Sequence, residues 1–170
     1  MTQGIIAAAF IATIWAANWS LAQWGIVNIG FGLSAPAGVF FAGLAFTFRD
    51  VLHENAGRTW VVGAILVGAA LSAILEDARV FAVASGTAFL VSESADLLVY
   101  APLRARGWLR AVLASNVVGF TLDSILFLWL AFGSLEFLTG QLVGKGYMTL
   151  AAILILWGVR RWTFISAPTR

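Results

Sequence analysis

The chain has 170 residues, of which 61% are hydrophobic and 11% charged, and its mean hydropathy is +0.94. A soluble globular domain carries about 25% charged residues, so this composition excludes an ordinary soluble core and points to a chain that lives in lipid. The formal net charge is only +2 and there is no cysteine, which argues against nucleic-acid binding and rules out a disulfide framework or a Cys-ligated metal.

Crossing a 30 Å hydrocarbon core takes roughly 17 to 25 apolar residues. Runs that reach or approach this length lie at 5–24, 35–52, 60–75, 80–100, 109–132 and 148–164. They are continuous rather than alternating, which predicts helices and not a barrel. The first run has no basic segment before it and no small-residue cleavage site after it, so it is expected to stay in the protein. Within it Trp15 and Trp19 flank Asn18, either as a pocket edge or, the favoured reading, as packing, while Ala8, Ala12 and Ala16 form a small-residue seam for helix packing. The second run closes on Asp50, His53 and Glu54, which share a helical face as i, i+3 and i+4. A third, shorter run leads to a polar turn at Glu76, Asp77 and Arg79.

In the fourth run Ser85, Phe89, Ser92, Glu93, Asp96 and Tyr100 fall within about 100° of arc, so one face carries both acids. The fifth aligns Asn116, Gly119, Phe120, Asp123 and Phe127 in the same way. Glu136 and Lys145 read as an outer loop before the sixth run. With short connections throughout, residues 1–170 read as one domain: an all-α integral membrane protein, a compact bundle of six transmembrane helices. Eight of the ten basic residues fall on one side of such a bundle, and only Arg79 and Lys145 on the other. The positive-inside rule then places both termini in the cytoplasm of a multi-pass protein of the cell (inner or plasma) membrane.

An acid near the middle of a spanning helix disfavours insertion by roughly 2.5 to 3.5 kcal/mol and is kept where it faces a polar cavity. Glu93, Asp96 and Asp123 are therefore the first candidates for a ligand site. Asn116 either joins them or bonds a neighbouring helix. Asp50 and Glu54 either extend the site or pair with Arg49 and Arg58. His53 with these acids does not amount to a metal site. No Walker loop, metal-ligand pair or serine beside a base occurs, so no enzyme and no cofactor is expected.

The segment Phe48-Arg49-Asp50-Val51-Leu52-His53-Glu54-Asn55-Ala56-Gly57 resembles the pattern that closes the second helix of the queuosine-precursor transporters, also called the vitamin uptake transporter family. The run through Ala84, Ser85, Glu93, Asp96, Tyr100 and Arg104 is similar to that family's fourth span. Ser115-Asn116 with Asp123-Ser124 and Phe127 is similar to its fifth. The chain departs from the pattern at Arg49, where a small or apolar residue is expected. The resemblance implies a small membrane importer of 7-deazaguanine bases, the precursors of the tRNA nucleoside queuosine, with no nucleic-acid partner.

Such a ligand suits these residues. A carboxylate such as Glu93 or Asp96 accepts two N–H donors from a guanine-type edge, and Asn116 donates to the ring carbonyl. Phe89, Phe120 and Trp15 supply faces for stacking. A second carboxylate, Asp123, would balance a cationic aminomethyl form. The alternative is the substrate-binding subunit of an energy-coupling-factor vitamin importer, which docks its partner through small residues of its first helix. A homodimer and the energy source are left open by the sequence.

Overall fold

The computed structural model describes residues 2–165; the side chains of Leu97, Ala101, Arg104, Trp108, Leu109, 111–113, Asn116, Ile153 and 156–165 lie outside the description. Six α-helices account for most of the described chain: α1 (Thr2–Trp24), α2 (Val39–Ala56), α3 (Arg58–Ala73), α4 (Arg79–Arg104), α5 (Trp108–Phe132) and α6 (Leu138–Ile165). Two of the described segments, Thr2–Trp24 and Glu76–Tyr100, are long and apolar enough to cross a membrane. The polar turn expected between α3 and α4 is a short 3-10 helix, Glu76–Ala78.

Two expectations are corrected. The second helix does not begin at residue 35, because β1 (Ile26–Gly30) and β2 (Leu33–Pro36) pair as an antiparallel hairpin between α1 and α2. Its strands alternate weakly and are too short to register as more than a connection. The sixth helix begins at Leu138, ten residues before the expected 148, and this takes Lys145 out of a loop and into a helix. Glycines and polar residues lower the hydropathy of that first stretch, yet the glycines are there to pack. A Cβ on Gly140 would come 2.0 Å from the carbonyl oxygen of Ser34, so β2 can sit against α6 only over a residue without a side chain.

The remaining contacts fix the register. Gly144 lies against Val39, and Gly43 lies against Lys145 and Met148, so α2 and α6 run side by side in the same direction, away from the hairpin. Gly119 of α5 faces Asp96 and Ser92 of α4, which brings the two antiparallel helices close at the level of the acids. The core centres on Phe10, Ile14, Phe46, Leu52, Val61, Ile65 and Phe89, with a second cluster of Leu21, Ala84, Ala88, Phe127 and Leu128. Helix α1 buries Ala7, Phe10 and Ile14 rather than the expected seam, and Ala8 and Ala12 are exposed.

Candidate functional site

The acidic stripe of α4 faces inward, with Glu93 at 2% and Asp96 at 6% exposure. Ions so deeply buried need partners, and α2 supplies one. Arg49, itself 3% exposed, donates from Nη1 to Glu93 Oε2 at 2.9 Å; the same nitrogen lies 3.7 Å from Asp96 Oδ2, and Nε lies 3.1 Å from Asp50 Oδ1. A planar guanidinium with five donors suits one cation shared by several carboxylates. It does not satisfy them all: Glu93 Oε1 and Asp96 Oδ1 are buried without a hydrogen-bond partner among the described residues. His53 Nδ1 is 3.6 Å from Glu93 Oε1.

A second ion pair joins α5 to α6. Lys145 is completely buried, and its ammonium donates to Asp123 Oδ2 and, at 2.9 Å, to Ser124 Oγ. The two clusters meet at one aromatic ring. Phe46 has the Arg49 guanidinium and the Lys145 ammonium each 5.3 Å from its centroid, and Phe120 has Lys145 at 5.5 Å. Phe46 stacks on Phe89 at 4.9 Å and leans on Phe120 at 5.5 Å. Cations held over ring faces keep part of the stabilisation that water would give them.

This charged aromatic layer separates two chambers. On the hairpin side lies a cavity of about 40 Å³ whose lining includes Asn18, Ser85, Phe89, Asp123, Phe127 and Gln141. On the far side lies an open recess of about 250 Å³ lined by Phe46, Asp50, Phe120 and Thr149, among others. The order holds along every helix involved. On α2, Val39 and Ala42 line the cavity, and Phe46 and Asp50 the recess. Helix α6 offers Gln141 to the cavity and Thr149 to the recess, and the antiparallel α5 offers Asp123 and then Phe120. The cavity holds a few waters and not a ring-sized ligand, so admitting one requires the helices to part.

The sequence-expected residues are thus divided among three places. Asn18, Phe89 and Asp123 line the cavity, although Asn18 is committed within the protein: its amide nitrogen donates to Ile14 O and Ser72 Oγ, and its oxygen accepts from Ser85 Oγ. Glu93 and Asp96 sit with Arg49, while Asp50 and Phe120 line the recess. Trp15 is exposed and stacks on Trp19 at 5.9 Å, and Glu54 is exposed near the end of α2; the structure brings neither of these residues to the chambers. The Asn116 side chain lies outside the described residues. Asp123, expected to stand free for a cationic substrate, already holds Lys145.

Four residues escaped the sequence reading of the site: Phe46, Arg49, Lys145 and Gln141, whose Oε1 is buried without a partner among the described residues. Arg49 and Lys145 were read as loop charges. The signal that could have found them is charge balance, since three acids inside apolar runs call for cations there as well.

A sequence profile of the family described as "Putative vitamin uptake transporter" matches residues 59–160, from the start of α3 into α6. Searches of curated proteins and of solved structures gave no match.

Proposed function

Because the chain belongs to this vitamin uptake transporter family, and so is a membrane transporter, we propose that it imports queuosine precursors, 7-deazaguanine-type bases or closely related nucleobase-like compounds. The observation that carries the reading is the pair of chambers on either side of the Phe46–Phe89 layer. A planar base entering from the hairpin side meets acceptors at Asp123 and Gln141 and a ring face at Phe89. On the far side it meets Phe46, Phe120 and Asp50. Parting the aromatic layer and its two ion pairs would pass the base from one chamber to the other, which is alternating access about a central barrier.

In the proposed orientation the hairpin lies outside and both termini are cytoplasmic. Taking the buried Arg49 and Lys145 out of the loop count leaves the basic residues as one-sided as before, with Arg79 alone on the hairpin side. Since the chain has no native cysteine, single cysteines at Ser134 and Ala105 can be probed with an impermeant thiol reagent. Ser134→Cys should label from outside and Ala105→Cys should not; the reverse pattern inverts the orientation.

The substrate is tested by uptake of labelled deazaguanines into cells that lack both their synthesis and their transport. Accumulation should depend on this protein, and equal accumulation with and without it refutes the proposal. One observation favours a second reading, a substrate-binding subunit of an energy-coupling-factor importer. Ala8 and Ala12 face outward from α1 beside Ile11 and Trp15 in an apolar groove, a surface on which a partner helix could dock. In that case uptake would require a co-expressed ATPase module.

A further inference from the structure

The cavity beside the aromatic layer has one charged residue in its described lining, Asp123, and that charge is already balanced. Lys145 approaches Asp123 from outside the lining, is held there by Ser124 Oγ, and is completely buried. A cation entering the cavity would find no spare negative charge and would lie close to a second ammonium. Transfer of an ion from water without a counter-charge is strongly unfavourable. An uncharged ligand meets no such penalty. It finds an acceptor, Gln141 Oε1, that is buried and has no donor among the described residues, and Asn18, whose hydrogen bonds are spent on Ile14, Ser72 and Ser85, does not compete for it. The acid-rich cluster around Arg49 offers a cation no contact in the cavity, since Glu93, Asp96 and Asp50 are not among the described residues lining it.

We infer that the cavity selects an uncharged ligand rich in N–H donors and rejects its cationic analogues, and that Lys145, acting through Asp123, sets this selectivity. The inference rests on the import of deazaguanine-type bases and narrows it to their uncharged members. It reverses the sequence-based expectation that Asp123 would neutralise an aminomethyl group.

The test measures binding of two probes to the purified full chain in detergent: 7-deazaguanine, uncharged at neutral pH, and its 7-aminomethyl derivative, a cation. The wild-type protein should prefer the uncharged probe by about tenfold or more, since a unit charge without a counter-charge at contact distance is worth several RT even at an effective dielectric near 20. Lys145→Met frees the Asp123 carboxylate and should turn the preference toward the cation. In Lys145→Met/Asp123→Asn both charges are gone, no buried ion is stranded, and the preference for the uncharged probe should return; this variant also serves if Lys145→Met does not fold. A wild-type protein that binds the cation as well as or better than the neutral base overturns the inference, as does a preference for the cation in the double variant. Failure of the wild-type protein to bind either probe strikes instead at the deazaguanine reading and takes this inference with it.

Discussion

Arg49 and Lys145 touch the same ring, Phe46, yet they are held in opposite ways. Arg49 serves three carboxylates, Glu93, Asp96 and Asp50, and two carboxylate oxygens around it have no donor among the described residues. Lys145 serves one carboxylate, with a serine hydroxyl in support. One side of the aromatic layer therefore holds a surplus of acid, and the other is balanced. The lesson is that the three buried acids Glu93, Asp96 and Asp123 are not equivalent. Neutralising one in the surplus relieves repulsion, whereas neutralising the one in balance strands a lysine.

The largest expected effect is that of Arg49→Met. It leaves Glu93 and Asp96 buried with no arginine or lysine in contact among the described residues, only His53 Nδ1 at 3.6 Å from Glu93 Oε1, and breaking even one buried pair costs roughly 3–5 kcal/mol. Thermal unfolding in detergent should show the variant to be the least stable of this series, with little folded protein recovered. A folded Arg49→Met of wild-type stability would mean that the carboxylates are not held by Arg49 at all.

Next come Asp123→Asn and Glu93→Gln, a pair chosen because the two regions predict opposite signs. Asp123→Asn leaves Lys145 unpaired in the bundle and should destabilise by about 3–5 kcal/mol. Adding Lys145→Met should recover most of that loss, because a neutral pair of similar shape needs no counter-charge. Glu93→Gln removes one of the surplus charges and keeps a side-chain oxygen to accept from Arg49, so its stability should equal or exceed that of wild type. Both single variants should lose uptake, and both should enter the membrane, since removing a charge from a spanning helix favours insertion. Equal destabilisation by the two would erase the distinction between the regions. Wild-type uptake by both would remove Glu93 and Asp123 from the site.

How much of this was legible in the sequence follows from how each residue signals itself. Glu93, Asp96 and Asp123 were readable because acids stand out in apolar runs, and helical arithmetic put Glu93 and Asp96 on one inward face of α4 with Phe89 and Ser92. Arg49 and Lys145 were misread because a basic residue near the end of an apolar run carries two meanings, a topology signal and a buried counter-ion, and spacing does not separate them. Lys145 had a second disguise. The glycines around it, Gly140, Gly144 and Gly146, lower the hydropathy like a loop, but Gly140 and Gly144 mark where α6 packs closely against β2 and α2. The hairpin stayed hidden because strands of five and four residues look like a connection. Trp15 was placed at a pocket because it lies one turn before Asn18, but positions three apart on a helix are still offset by about 60°, which leaves Asn18 buried and Trp15 exposed.

The smallest expected effect marks the boundary of the acid-rich region. Glu54 lies one turn beyond Asp50 on α2, and helical spacing alone would add it to the cluster. The structure makes a different distinction: Asp50 has 47% of its side chain exposed but still reaches Arg49 Nε at 3.1 Å, while Glu54 is exposed near the end of the helix with no ion pair among the described residues. An exposed charge without a partner contributes little, so Glu54→Gln should change stability by no more than about 0.5 kcal/mol. Uptake should stay at the wild-type rate, whereas Asp50→Asn, which removes both a contact with Arg49 and an acceptor from the recess wall, should reduce it. Loss of uptake in Glu54→Gln at unchanged stability would show that substrate contacts begin at the very end of α2. The recess would then extend past Asp50, and the acid surplus would act as an entrance to the site as well as a counterweight to Arg49.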